Sequence, residues 1–130
     1  MKVFVSSTRN DLDLARDLAR RLKGKGLQVL TDEEIDDPGK ELVQLLQHHL
    51  RVSDEVIFLL TQSAVASEKI MFAIGAALSL RKKITPIVIG VDTDQLPPMV
   101  KHLRHVKYAE VEDYLARLKK RNGTPVKVHA

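Results

Sequence analysis

The sequence predicts an α/β fold: a flavodoxin-like, three-layer arrangement with a five-stranded parallel sheet. Three observations carry this. Short strand-like runs, KVFVS, LQVLT, EVIFLLT and ITPIVI, alternate with segments whose apolar residues recur at spacings of three and four. Two of those runs are continuously apolar, as strands covered on both faces are. The chain has 130 residues, 44% of them hydrophobic, which suffices for one domain around one buried core.

The elements follow in order. Lys2 to Ser6 reads as the first strand, and Thr8-Arg9-Asn10-Asp11 has the Thr-x-x-acid spacing of a helix N-cap. The helix after it buries Leu14, Ala15, Leu18, Ala19 and Leu22 and stops at Gly24 and Gly26. Leu27 to Thr31 is the second strand, and Asp32 to Lys40 an acidic loop punctuated by Pro38-Gly39. A helix from about Gly39 to Arg51 buries Leu42, Leu45, Leu46 and Leu50. Glu55 to Thr61 is the third strand, and Gln62 to Ala66 a loop. The next helix carries Ile70, Ile74, Ala77 and Leu78 on one stripe and leads into the strand Ile84 to Ile89, closed by Gly90. Beyond the loop Asp92 to Pro98, a helical turn is expected at Met99 to Leu103 and a fifth strand at His105 to Tyr108. Val111, Tyr114, Leu115 and Leu118 mark the last helix, which Asn122-Gly123 ends.

Composition narrows the chemistry. There is no Cys, so disulfides, thiol nucleophiles and Cys-ligated metals are excluded. The N-terminus does not read as a signal peptide and no apolar run approaches a membrane span; a cytoplasmic protein without membrane contact is expected. The net charge of +4 is compatible with a polyanion partner, but no nucleic-acid motif accompanies it and aromatics make up only 4% of the chain, so nucleic acid is not the expected partner. His48 and His49 are adjacent and point to different sides of a helix, and His102 and His105 have no carboxylate partner placed by the sequence. No metal site is expected.

In a sheet of this kind ligands bind at the carboxyl ends of the strands. Those ends are Ser6-Ser7-Thr8, Thr31-Asp32, Thr61-Gln62 and Gly90-Val91. The first and third lack the acidic residues of a phosphate-accepting receiver domain. Neither a GxGxxG nor a GxxxxGK[ST] motif is present, and no glycine elbow surrounds Ser6 or Ser7.

Four stretches then carry a resemblance. VFVSSTRND, TDEEIDDPGK, EVIFLLTQSAVAS and KIMFAIGAALSLRKKITPIV are similar, in order and spacing, to the successive boxes of a Toll/interleukin-1 receptor (TIR) domain. The resemblance assigns residues 1–121 to that domain and leaves 122–130 as a C-terminal tail. It implies the bacterial type that cleaves NAD+ at the nicotinamide–ribose bond, giving ADP-ribose or a cyclic ADP-ribose signal in immune or cell-death signalling. In that family a Glu stabilises the positive charge that develops on the ribose. Counting back from Pro86 puts that Glu at Ala73, and the family's Trp at Lys69. The implied enzyme is thus present in a disabled form, through a natural loss or an engineered change. Glu68 lies about 140° around the helix from residue 73 and does not replace it.

The resemblance further implies that Ser7, Thr8, Arg9, Asp37 and Lys69 line the nucleotide pocket, with Arg9 suited to a phosphate. The loop residues Asp32, Glu33, Glu34, Ile35, Asp36, Pro38 and Gly39 would dock on a neighbouring TIR domain in a homo-oligomer or filament. NAD+ is implied as substrate, no cofactor is expected, and a separate sensor protein is an expected partner. Two other readings stand beside this one: a non-catalytic TIR scaffold or adaptor, and another flavodoxin-like nucleoside N-glycosidase.

Overall fold

The computed structural model describes residues 1–32 and 40–123. The expected loop residues Glu33, Glu34, Ile35, Asp36, Asp37, Pro38 and Gly39, and the tail from Thr124, lie outside the described residues, as does the side chain of Leu42.

Five strands form one parallel sheet: β1 (Lys2–Ser6), β2 (Gln28–Thr31), β3 (Glu55–Leu60), β4 (Lys83–Val88) and β5 (Val106–Lys107), in the spatial order β2-β1-β3-β4-β5. The helices are α1 (Leu12–Gly24), α2 (Lys40–Val52), α3 (Gln62–Val65), α4 (Glu68–Ser79) and α5 (Val111–Gly123). This is the flavodoxin-like α/β arrangement that the alternating pattern predicts.

Side chains alternate across the central strands, and each face has its own core. Phe4, Val56, Phe58 and Leu60 face Leu46 and Leu50 of α2 and Ile70 and Ile74 of α4. Val3, Val5, Ile57 and Leu59 face Leu18 and Leu22 of α1 and Leu115 and Leu118 of α5. Burial on both faces is why EVIFLL is apolar without interruption. Truncating one of these wholly buried leucines to Ala costs about 2–5 kcal/mol.

An ionic lock sits at the foot of this sheet. Glu55, the first residue of β3, is 1% exposed. Its carboxylate accepts hydrogen bonds from Thr85 Oγ1 at 3.0 Å, from the Tyr114 hydroxyl, and from Arg121 Nη2 at 2.9 Å. Three donors satisfy a charge that would otherwise be costly to bury. The same lock ties α5 to the sheet.

The structure corrects four local expectations. The segment taken as a loop after β3 contains the short helix α3, because Thr61 Oγ1 accepts from Ala64 N at 3.2 Å and caps it. Thr8 does not cap α1: its hydroxyl donates to Asp11 Oδ2 at 2.8 Å, and a 3-10 turn over Arg9–Asp11 intervenes. In place of the single helical turn expected at Met99 to Leu103 there are two consecutive hydrogen-bonded turns, Val100 N donating to Pro97 O and Leu103 N to Val100 O. β5 has two residues instead of four.

That short strand explains Pro86. β5 begins opposite Ile87, so at position 86 β4 pairs only with β3, and a residue without an N–H is tolerated there. One further feature breaks a local rule. Arg81 stops α4 with φ of +56°, the left-handed position glycine usually fills, at a cost of roughly 1 kcal/mol relative to glycine.

Candidate functional site

The carboxyl ends of β1, β2 and β3 converge. At the tip of β1, Ser7 N donates to Asp32 Oδ2 at 2.6 Å, which fixes the residue that follows β2 against the residue that follows β1. Asp11 Oδ2 accepts from both Thr8 Oγ1 and, at 2.6 Å, Thr61 Oγ1 at the end of β3. Asn10 Nδ2 reaches Ser63 Oγ at 3.0 Å. Farther along the sheet Gln62 Nε2 donates to Gly90 O at 3.0 Å, joining the tips of β3 and β4. The four strand ends singled out by the sequence are therefore connected by side chains.

α4 supplies the remaining wall. Ser67 Oγ caps it by accepting from Ile70 N at 3.2 Å. Its first turn brings Lys69 Nζ to 3.7 Å from Asp32 Oδ2. The Asp32 side chain is 7% exposed. Burial pushes its carboxyl pKa up, partly offset by the Lys69 ammonium, the Ser7 N–H, the Ser6 hydroxyl and His49. Asp32 Oδ1 and Ser6 Oγ are both buried without a well-formed hydrogen bond. The result is a deep polar corner: a carboxyl that holds its proton more tightly than an ordinary Asp, one amide donor and one half-exposed cation.

The other residues are placed as follows. Arg9 is exposed on its 3-10 turn, and Thr8 is turned toward Asp11. Ala73, one turn after Lys69, has no exposed surface and lies in the core with Ile70, Ile74 and Ala77. Its methyl carries no charge and reaches no solvent. Glu68 is exposed. Of the residues expected in the pocket, the structure joins Ser7 to Lys69 through Asp32, and Asp37 lies outside the described residues. From sequence Asp11 reads only as part of a cap pattern and Thr61 only as the end of the third strand; the hydrogen bond that joins them is in neither reading.

A concavity of about 350 Å³, lined by none of Ser7, Asp32 and Lys69, opens at the ends of β4 and β5. Val88, Leu96 and Tyr108 give it an apolar floor, and His105 and Lys107 line it with Asp92. Among the described residues no group of three His, Asp or Glu is placed to hold a metal, and no helix is long and apolar enough to cross a membrane.

Comparison with known proteins places this arrangement. The chain matches the TIR domain of the Toll-related receptor TRR-2 from Hydra magnipapillata with a TM-score of 0.76 at 16% identity, over 92% of this chain and 95% of that one. It matches a TIR-STING receptor from C. gigas in complex with 2′,3′-cGAMP with a TM-score of 0.76 at 20% identity. That match covers 90% of this chain and 39% of the receptor. A CMP N-glycosidase from Clostridium botulinum is similar with a TM-score of 0.66 at 19% identity, over 91% and 98% of the two chains. At these identities the likeness is one of fold. No curated protein matches by sequence. The family model of the TIR domain matches residues 3–120, nearly the whole described chain, and the protein belongs to the TIR domain family.

Proposed function

We propose that this chain is a TIR domain on the NAD-glycohydrolase plan whose hydrolytic position holds Ala73, so that it binds NAD+ or a related nucleotide at the strand tips, turns it over negligibly, and signals by associating with other TIR domains in the cytoplasm. The observation that carries the reading is Ala73 itself. Cleavage of the nicotinamide–ribose bond leaves positive charge on the ribose, and a buried methyl does nothing to stabilise it. A polar corner one turn earlier on α4 remains: Ser7, Asp32 and Lys69 retain donors, a carboxyl and a cation that a nucleotide could use. An immune or cell-death role, with a separate sensor protein upstream, accompanies this reading.

Association has its own support. The stretch after the buried Asp32, Glu33 to Asp37, carries four acids by sequence, and the concavity at the ends of β4 and β5 carries Lys107 and His105, with Asp92, on an apolar floor. An acidic loop from one copy suits a basic-rimmed pocket on another, which favours fast encounter and fixed register.

A second reading is favoured by Asp32. It is a carboxyl at the cleft, and a nucleoside N-glycosidase would use such a group in place of residue 73; the fold likeness to the CMP N-glycosidase is consistent with it.

The test is nicotinamide release from NAD+, by chromatography, for the chain and for Ala73→Glu. The chain is expected to release none above background, and the variant to gain about 10²-fold or more. Thermal unfolding of Ala73→Gln alongside controls for the cost of a larger polar side chain in the core. Rapid NAD+ cleavage by the unaltered chain would overturn the proposal. Cleavage of CMP or a free nucleoside, lost in Asp32→Asn, would establish the second reading instead.

A further inference from the structure

The two margins of the sheet differ. β5 ends one of them after two residues, whereas β2, at the other, runs for four: Gln28, Val29, Leu30 and Thr31. None of the four is charged or a proline, the residues that commonly blunt an edge. Gln28 N donates to Met1 O, so Gln28 and Leu30 turn their backbone groups toward β1. Backbone groups alternate along a strand, and the N–H and C=O of Val29 and Thr31 therefore point outward. Among the described residues β2 pairs with β1 alone. Its side chains are incompletely covered as well. Leu30 packs against one core and Val29 against the other, and both stay half-buried.

The chain leaves the fold beside the foot of this strand. α5 ends at Gly123. The residue before it, Asn122, accepts from the Met1 amine through Oδ1 at 2.9 Å and donates from Nδ2 to Gly26 O at 3.4 Å. Gly26 leads directly into Leu27 and β2. The sequence that follows is Thr124-Pro125-Val126-Lys127-Val128-His129-Ala130. Pro125 cannot continue a helix. Val126 and Val128 alternate with Lys127 and His129, the period of a strand with one covered face. Residues 126–129 match the length of β2. Thr124 and Pro125 reach up to about 7 Å, more than the roughly 5 Å between neighbouring strands.

Topology agrees with this placement. α5 covers the same face of the sheet as α1, with Leu115 and Leu118 in one core with Leu18 and Leu22. A connection from β5 over α5 to the far side of β2 crosses that face in the direction in which α1 joins β1 to β2. The two crossovers then share one hand, and connections between parallel strands are right-handed as a rule.

We propose that residues 126–129 add a further parallel strand to the outer edge of β2 in their own chain. Val29 and Thr31 gain backbone partners, and the two valines of the segment extend one of the cores. The addition closes the longer margin of the sheet, where an extended segment of another molecule could otherwise join it. The short reach from Asn122 favours the chain's own segment, because a brief tether gives a high effective concentration that a second copy or a free peptide must match.

The experiment is amide hydrogen exchange by NMR on the full chain and on the variant Lys127→Pro with Val128→Pro. One of two successive amides must face β2, so the two prolines remove a ladder bond in either register. The Val29 and Thr31 amides are expected to exchange about tenfold or more slowly in the parent than in the variant, while Gln28 and Leu30, bonded to β1, change little. Nuclear Overhauser contacts between residues 126–129 and β2 are expected in the parent and do not depend on how the variant folds. A synthetic peptide of residues 123–130, added to the variant, is expected to restore the protection. Equal exchange of Val29 and Thr31 in the two proteins, or absence of those contacts in the parent, would overturn the proposal. Protection that grows with protein concentration, together with dimers in sedimentation velocity, would assign the added strand to a second copy and overturn it too.

Discussion

Tyr114→Phe tests what holds the last helix to the sheet. The Tyr114 ring is 4% exposed and packs with Val111, Leu115 and Leu118, so phenylalanine keeps the apolar body and removes only the hydroxyl. That hydroxyl donates to Glu55, a buried carboxylate that keeps two other donors, Thr85 and Arg121. Loss of one hydrogen bond to a charged group costs about 1.5–3 kcal/mol, and the two remaining donors place the expected value near 2 kcal/mol. An unfolding entropy of about 2.1 cal/mol/K per residue, over this length of chain, converts that to a fall of roughly 7 °C in thermal midpoint. Urea unfolding should show a lower midpoint with an unchanged slope. The gap also depends on pH. Burial, and then the Glu55 charge, raise the phenol's pKa above its ordinary 10.0. The folded state therefore holds this proton more tightly than the unfolded state. The stability it confers is complete below pH 10 and declines as pH rises beyond it. The two proteins should converge in stability at alkaline pH. A midpoint shift of less than about 2 °C, or a gap that stays constant through alkaline pH, would refute the assignment of this phenol to the lock.

Two further substitutions probe the cleft. Asp32→Asn should raise stability at neutral pH, because burial holds the native carboxyl above its ordinary 3.8 and the ionised form is disfavoured in the fold. In the parent, stability falls as pH rises from 3.8 through the raised value; in the variant that slope disappears, which urea midpoints across the acidic range would read. Lys69→Met removes an ammonium that is 37% exposed and 3.7 Å from Asp32, so less than about 1 kcal/mol of stability is at stake. Its larger effect is to drive the Asp32 pKa still higher, visible by NMR titration of the carboxyl carbon; no movement would mean that the two groups do not interact.

The sheet was legible because its signals are local. A continuous apolar run such as EVIFLL states its own burial, and periodic leucines state which face of a helix turns inward. Ser7 and Lys69 were expected in one pocket because they sit where a strand ends and where the next helix begins, whereas Asp32, read as an exposed charge of the docking loop, is instead buried between them. What escaped is nonlocal. The partners of Glu55 lie 30, 59 and 66 residues away, and Thr61 finds Asp11 across 50 residues, so neither the lock nor the bracing of the strand tips has a signature within any short window. The α3 helix escaped for the opposite reason. At four residues it is too short to show a period, and only its Thr61 cap reveals it.

The two-residue β5 and the Pro86 beside it have a consequence for how such chains come together. A full-length edge strand would present a row of open amides, an invitation to any extended segment. Here that margin of the sheet stops after two residues, and the next position along β4 has no amide hydrogen to offer. Backbone pairing across that side has little to build on among the described residues, so any association on this flank would depend on side chains, where single substitutions can tune it.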